Sequence, residues 1–255
     1  MGRPDAHTAA APQLPAVLPL GWDAVLVRFG TRLGDAVNRA ALAFRAELER
    51  CAWEGIAETA PGLGSVYVRL DPGHAAAAAV PGRLVGLLEG RDWFAEPLLG
   101  GRRLWRVPCA FGGAAGPALA SCAEAAGLSE NAAVEALASC RLRVLALGFA
   151  PGQPYLGVLP EEWDLPRRTL LSERVPAGAV GLAVRQLTLF AAPSPTGWHH
   201  VGQTRLACFD PARSAAVALA AGDEICFEPV VPDRLEALAA ADPGGLGGAR
   251  CETLE

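Results

Sequence analysis

Gly148-Phe149-Ala150-Pro151-Gly152-Gln153-Pro154-Tyr155-Leu156-Gly157 is the densest signal in the chain. Three glycines and two prolines within ten residues suit neither a helix nor a central strand. The stretch reads as a stiff loop that follows a strand over Arg141–Phe149. Gly lets backbone approach a ligand closely. Phe149 and Tyr155 supply apolar walls, Pro151 and Gly152 set the turn, and Tyr155 adds a hydroxyl. The same loop also reads as a structural turn with aromatic plugs.

Downstream, the chain is rich in strands and turns. Strands are predicted at Val180–Val184, Leu187–Phe190, His199–Thr204, Arg205–Phe209 and Glu224–Val230. Gly and Pro punctuate them at steps of about ten residues, the pattern of a barrel or sandwich. A second stiff turn, Arg174-Val175-Pro176-Ala177-Gly178-Ala179-Val180-Gly181, feeds one of these strands. Arg174 is suited to hold a carboxylate in a two-pronged bond, although a surface ion pair is the commoner fate of an arginine. A third cluster, Ser194-Pro195-Thr196-Gly197-Trp198-His199-His200-Val201-Gly202-Gln203-Thr204, gathers an indole, two imidazoles, an amide and a hydroxyl. An imidazole here is a candidate general base near neutral pH, and a solvent-facing histidine is the alternative.

Upstream, Val25–Phe29 alternates as a strand. Leu33, Val37, Ala40, Phe44 and Leu48 recur at helical steps, with Arg39, Arg45, Glu47 and Glu49 on the other side. Gly55 stops that helix. Strands follow at Ser65–Leu70 and around Ile56, and a helix near Arg83–Glu89, an α+β arrangement. After Gly101, Leu104–Ala110 reads as a strand. Pro117 opens a helix that ends at Gly127, and Ser129 caps another with Glu130 in its first turn. The domain reading is an extension over 1–22, a small α+β domain over 23–103, a barrel domain over 104–231 and a tail over 232–255. In that tail a short Leu/Ala helix precedes Gly-rich residues expected to be mobile.

Composition excludes several chemistries. All 22 basic residues are arginine. Without lysine there is no Schiff base and no Walker-type phosphate loop, so ATP is not held here by that route. A net charge of −5 argues against nucleic acid. No apolar run is long enough to span a bilayer, and prolines break the N-terminal segment, so the expected location is the cytoplasm with no membrane contact. The seven cysteines form no C-x-x-C pair and read as buried reduced thiols. His199 and His200 are adjacent, so a strand turns them to opposite faces, and no metal site is expected.

The three clusters, taken in order, resemble the family of allophanate hydrolase subunit 1, also known as the B-type subunit of 5-oxoprolinase. The resemblance is carried by Gly148–Leu156, Arg174–Gln186, Thr196–Trp198, Gly202–Thr204 and Gly222–Phe227, with Val107–Gly113, Gly116-Pro117 and Gly127–Ser129 upstream. It implies a small α+β domain followed by a cyclophilin-like closed β-barrel. It also implies a partner of the subunit 2 family, a small-molecule substrate, no cofactor held by this chain, and ATP used by the complex. Members act in ATP-dependent 5-oxoproline cleavage, or form the carboxyltransferase part of urea carboxylase. Others inhibit the autophosphorylation of a sensor histidine kinase. On this reading His200 and Tyr155 are the catalytic candidates. The substrate-binding candidates are Phe149, Pro151, Gly152, Tyr155, Arg174, Gln186, Trp198, His199 and Thr204.

The chain departs from the family pattern where polar residues are usual. Ala118 stands for an acid, Ala138 for a histidine and Ala179 for a serine, while Gln153 replaces a phenylalanine. Losing buried hydrogen-bond partners costs about 1–3 kcal/mol each. A repurposed stand-alone cyclase or lyase on a larger apolar substrate is therefore one alternative to a hydrolase or carboxyltransferase subunit, and an inhibitor of a sensor histidine kinase is the second.

Overall fold

The computed structural model describes residues 14–98 and 100–254. The chain divides into two compact units that meet in sequence at Glu96 and Pro97. The sequence reading put this boundary at 103/104, where the first barrel strand begins.

The first unit carries a sheet of β1 (Ala16–Leu20), β2 (Ala24–Arg28), β3 (Ile56–Pro61) and β4 (Ser65–Leu70), in the order β1-β2-β4-β3. Helices α1 (Asp35–Cys51) and α2 (Val80–Glu89) complete it. The alternation of β2 and β4 sends Val25, Val27, Val66 and Val68 into one core with Phe44 and Leu48 of α1. Ala52, in the left-handed conformation, ends α1 just before Gly55. The extension read over 1–22 is corrected for its last part. Ala16–Leu20 pairs antiparallel with β2 across five residues, because Val17 is needed against the core. Residues 1–13 lie outside the described residues.

The second unit contains β5 (Arg103–Phe111), α3 (Leu119–Ala125), α4 (Glu130–Ser139), β6 (Leu142–Leu147), β7 (Pro154–Gly157), β8 (Ser172–Val175), β9 (Ala179–Ala183), β10 (Gln186–Leu189), β11 (Ser194–Thr196), β12 (His199–Thr204), β13 (Glu224–Pro229), α5 (Pro232–Ala240) and β14 (Arg250–Thr253). Seven strands run β12-β9-β10-β7-β6-β13-β5, and β12 pairs back onto β5 to close the ring. This is the closed barrel expected after an α+β unit. Inward residues such as Val107, Val144, Leu156, Leu182, Leu187 and Ile225 pack into one buried core. Ser129 caps α4 by accepting from Ala132 N, as its position suggested.

Two further expectations are corrected. Arg205–Phe209 is not a strand; only an isolated bridge joins Phe209 to Val217. Its period of two comes from burying Leu206 and Cys208 in an extended loop without a ladder. The tail is not a mobile end. β14 pairs with β5, and the glycines before it serve close packing. A Cβ on Gly247 would sit 2.3 Å from the Arg205 carbonyl carbon.

Candidate functional site: two grooves on either side of Trp198

The alternation of β9 splits its residues between two cores. Val180 and Leu182 face the barrel interior, while Ala179 and Ala183 face outward into a cluster with Val175, Phe190 and Trp198, against which Tyr155 packs. The three motif clusters thus meet on the outer face of the β7–β10–β9 wall. The barrel interior is not their meeting point, because Tyr155 lies one residue from the inward Leu156.

Glycine makes this face possible. A Cβ on Gly181 would lie 2.8 Å from Phe190 Cε2 and 3.0 Å from Trp198 Cβ, so the aromatic residues rest directly on backbone. Trp198 N donates to Thr196 Oγ1 at 3.0 Å, and Arg168 N donates to Gly197 O at 2.7 Å. Tyr155 and Trp198 pack tilted, with ring centroids 5.9 Å apart. Thr188 Oγ1 donates to Pro154 O at 2.8 Å and pins β7 to β10 beneath them. Gly152 needs its positive φ of 71°, and a Cβ there would lie 2.6 Å from Cys208 O.

Trp198 and Arg168 each line two adjoining grooves. The first, of about 240 Å³, is walled by Tyr155, Phe190 and Trp198, with Phe149 and Leu171 exposed at its rim. The second, of about 470 Å³, is lined by Arg168, Ser172, Arg174, Trp198, His199 and His200. The structure therefore brings Phe149, Tyr155 and Trp198 together, and Arg174, His199 and His200 together. The catalytic candidates Tyr155 and His200 line different grooves.

Four candidates line neither groove. Thr204 is fully buried and its Oγ1 donates to Gly178 O at 3.1 Å, which ties two turns together. Gln186 is buried in the wall at the start of β10. Pro151 and Gly152 shape the turn behind Phe149. Sequence reasoning missed Gln153, Arg167, Arg168, Leu171, Ser172 and Phe190. Nothing local marked Arg167 and Arg168 as facing the indole.

The two imidazoles differ. His199 Nε2 lies 2.9 Å from Pro166 O; a carbonyl only accepts, so the proton sits on Nε2. His200 Nε2 is buried with no partner among the described residues. Burial holds the His200 pKa below 6.5, against a smaller opposing effect of the Gly202 backbone. His200 is therefore neutral at pH 7, the state of a proton acceptor. The buried thiols are inert: burial pushes Cys122 up to about 11 and Cys208 to about 12, and raises Cys109 further.

Among the described residues no group of acids, histidines and cysteines is arranged to hold a metal, and no helix is long and apolar enough to cross a membrane. A larger groove of about 590 Å³ in the first unit, beside Val17, Val85 and Trp93, is lined among the described residues by no imidazole, hydroxyl or thiol. Size alone does not make it the site.

Residues 15–219 match the family described as carboxyltransferase domain, subdomain C and D. The chain is 38% identical over 176 residues to the B-type subunit of 5-oxoprolinase from Escherichia coli O157:H7, covering 68% of this chain and 78% of that protein. It is 30% identical to the corresponding 5-oxoprolinase subunit of Bacillus subtilis strain 168, over 82% of this chain and 90% of that one. The fold is also that of part of the Kluyveromyces lactis urea carboxylase, with a TM-score of 0.71 at 19% identity over 95% of this chain, which spans 25% of that structure. With a match this long, and motifs that build one continuous face of the barrel, the chain belongs to the carboxyltransferase domain, subdomain C and D, family that its 5-oxoprolinase relatives share.

Proposed function

We propose that this chain is one subunit of an amide- or lactam-opening hydrolase or a carboxyltransferase of the 5-oxoprolinase or urea-carboxylase type. It works with a partner of the subunit 2 family, in the cytoplasm, in a complex that uses ATP. The names of its relatives support the reaction type. The absence of lysine puts ATP recognition by a Walker-type loop outside this chain.

The observation that carries the reading is the neutral imidazole of His200 beside the Trp198 wall, whose buried Nε2 has no partner among the described residues. A neutral imidazole takes a proton from an attacking water or hydroxyl and returns it to a departing nitrogen. The indole of Trp198, which walls both grooves, offers a flat apolar surface on which a small planar amide is held beside His200. The test is to combine the chain with its partner and assay ATP-dependent opening of 5-oxoproline and carboxyl transfer to urea. Turnover of either by the pair, absent from each chain alone and lost in His200→Gln, supports the proposal. No turnover by a complex that does assemble overturns it.

A second reading, a stand-alone cyclase or lyase for a larger apolar substrate, is favoured by one observation. Phe149 and Leu171 are 79% and 68% exposed at the rim, so the apolar wall extends beyond the small groove. Activity without the partner separates it from the first.

A further inference from the structure

The second groove has a chemistry that an uncharged amide or lactam ring does not by itself require. Arg168 and Arg174 both line it, and among the described side chains no carboxylate lines it or pairs with either. In a chain of net charge −5 that is against the general balance. Most other arginines here, such as Arg45, Arg69 and Arg250, sit against an acid.

The remaining polar groups fix what the groove can accept. Ser121 Oγ donates to Ala118 O and Ser172 Oγ to Thr196 O, both at 3.0 Å, so both hydroxyl protons are committed. The His199 proton is committed to Pro166 O. Arg174 spends one N–H on Pro193 O at 3.2 Å, which anchors the side chain and leaves four donors. Arg168 is anchored through its backbone, by N donating to Gly197 O at 2.7 Å. The unspent donors are thus guanidinium N–H groups, whose planar fork matches two oxygens of one anion. The indole of Trp198 and Val175 supply an apolar wall on one side of the groove, while both arginines stay exposed.

The geometry points to an oxyanion site: the Arg168–Arg174 groove binds a carboxylate, bicarbonate or phosphoryl group, while the aromatic groove across Trp198 takes the uncharged part of a ligand. The assignment rests on the groove and not on turnover, so it and the proposed reaction fail separately.

The experiment is a titration of the full chain with inorganic phosphate, bicarbonate and acetate, followed by calorimetry and by the imidazole NMR signals of His199 and His200. One anion should bind per chain and shift both imidazoles, while sodium chloride at matched ionic strength should not. Arg174→Gln and Arg168→Gln should each weaken binding at least about tenfold, Arg174→Lys should weaken it less, and Arg250→Gln should leave it unchanged. Preference for phosphate identifies a phosphoryl group; preference for bicarbonate or acetate identifies a carboxyl group. No saturable binding of any of the three, or equal binding by the parent and both glutamine variants, overturns the site. Should a glutamine variant not fold, the imidazole shifts of the parent protein decide.

Discussion

The guanidinium of Arg167 lies over the indole of Trp198, 5.2 Å from its centroid, while the Tyr155 ring packs against the same indole. Trp198 is thus the common wall of both grooves and the centre of the outer cluster. Its replacement by alanine should cost about 3–5 kcal/mol, the range for losing a large buried aromatic side chain. Trp198→Phe should cost less and keep the groove partly walled. Urea denaturation of both variants, followed at the barrel transition, checks the order. Trp198→Ala should also abolish turnover by the assembled complex.

Gly178 carries a φ of +78°, and a Cβ there would lie 2.3 Å from Thr204 O. Gly178→Ala meets both the left-handed penalty of about 1–2 kcal/mol and this clash with backbone. The Thr204 Oγ1 bond to Gly178 O should break as the turn shifts. The expected result is a fall in thermal midpoint larger than that of Gly86→Ala, where open space surrounds the new methyl.

His200 makes a prediction in pH. Its folded-state pKa is below the ordinary 6.5 because burial penalises the charged ring. The unfolded chain therefore binds the proton more readily, and stability rises with pH through this window. The contribution of neutral His200 is fully present above 6.5 and is lost as pH falls through that value towards the depressed folded pKa. His200→Gln should flatten this part of the stability profile between pH 7 and 5, measured by urea denaturation. Catalysis by the complex should fall over the same acid limb.

How far these features were legible depends on what each residue answers to. In the first unit α1, β2 and β4 followed from periodicity, because Val37, Phe44 and Leu48 face one core and the alternating β2 and β4 face the same one, whereas β1, broken by prolines, did not. The barrel followed from strand spacing and from the motif resemblance together. Which face of the wall Tyr155 occupies did not, since a shift of one residue exchanges the two faces and only pairing with Thr188 and Ala146 fixes the register. Gly247 looked mobile because a sequence cannot distinguish a glycine chosen for freedom from one chosen for close approach. Thr204 and Gln186 lie in recognisable motifs, yet both are buried away from the two grooves, and the Thr204 hydroxyl is spent on Gly178 O. Arg168 gave no signal, because its place in the grooves is set by a long-range bond to Gly197.

Asp223 anchors the end of the barrel. Its buried carboxylate accepts from Arg103 N, from the Arg103 side chain, from Trp105 Nε1 at 3.2 Å and from Ala220 N at 2.9 Å. Asp223→Ala strands these donors where water is scarce, and should cost about 3 kcal/mol, the lower end for breaking a buried pair because Arg103 is partly solvated. Asp223→Asn keeps the shape and some of the bonds and should cost less. Comparing their urea midpoints separates charge from hydrogen bonding.

Phe149 is held at a φ of 71°, a left-handed conformation that costs a bulky residue about 1–2 kcal/mol. Its ring is 79% exposed, so burial returns little of that cost. The turn imposes the conformation: Gly148 N donates to Gln153 O at 3.0 Å and Gln153 N to Ala150 O at 3.1 Å. Packing alone does not account for an aromatic residue at such a position. Its place at the rim of the aromatic groove does, if the ring covers a bound ligand. Phe149→Gly removes the strain but adds unfolded-state entropy of about 0.5–1 kcal/mol, so the thermal midpoint should stay level or rise slightly. Substrate affinity of the assembled complex should fall, with KM raised more than kcat is lowered. A variant that loses stability while keeping KM would show that the ring serves the fold and has no part in binding.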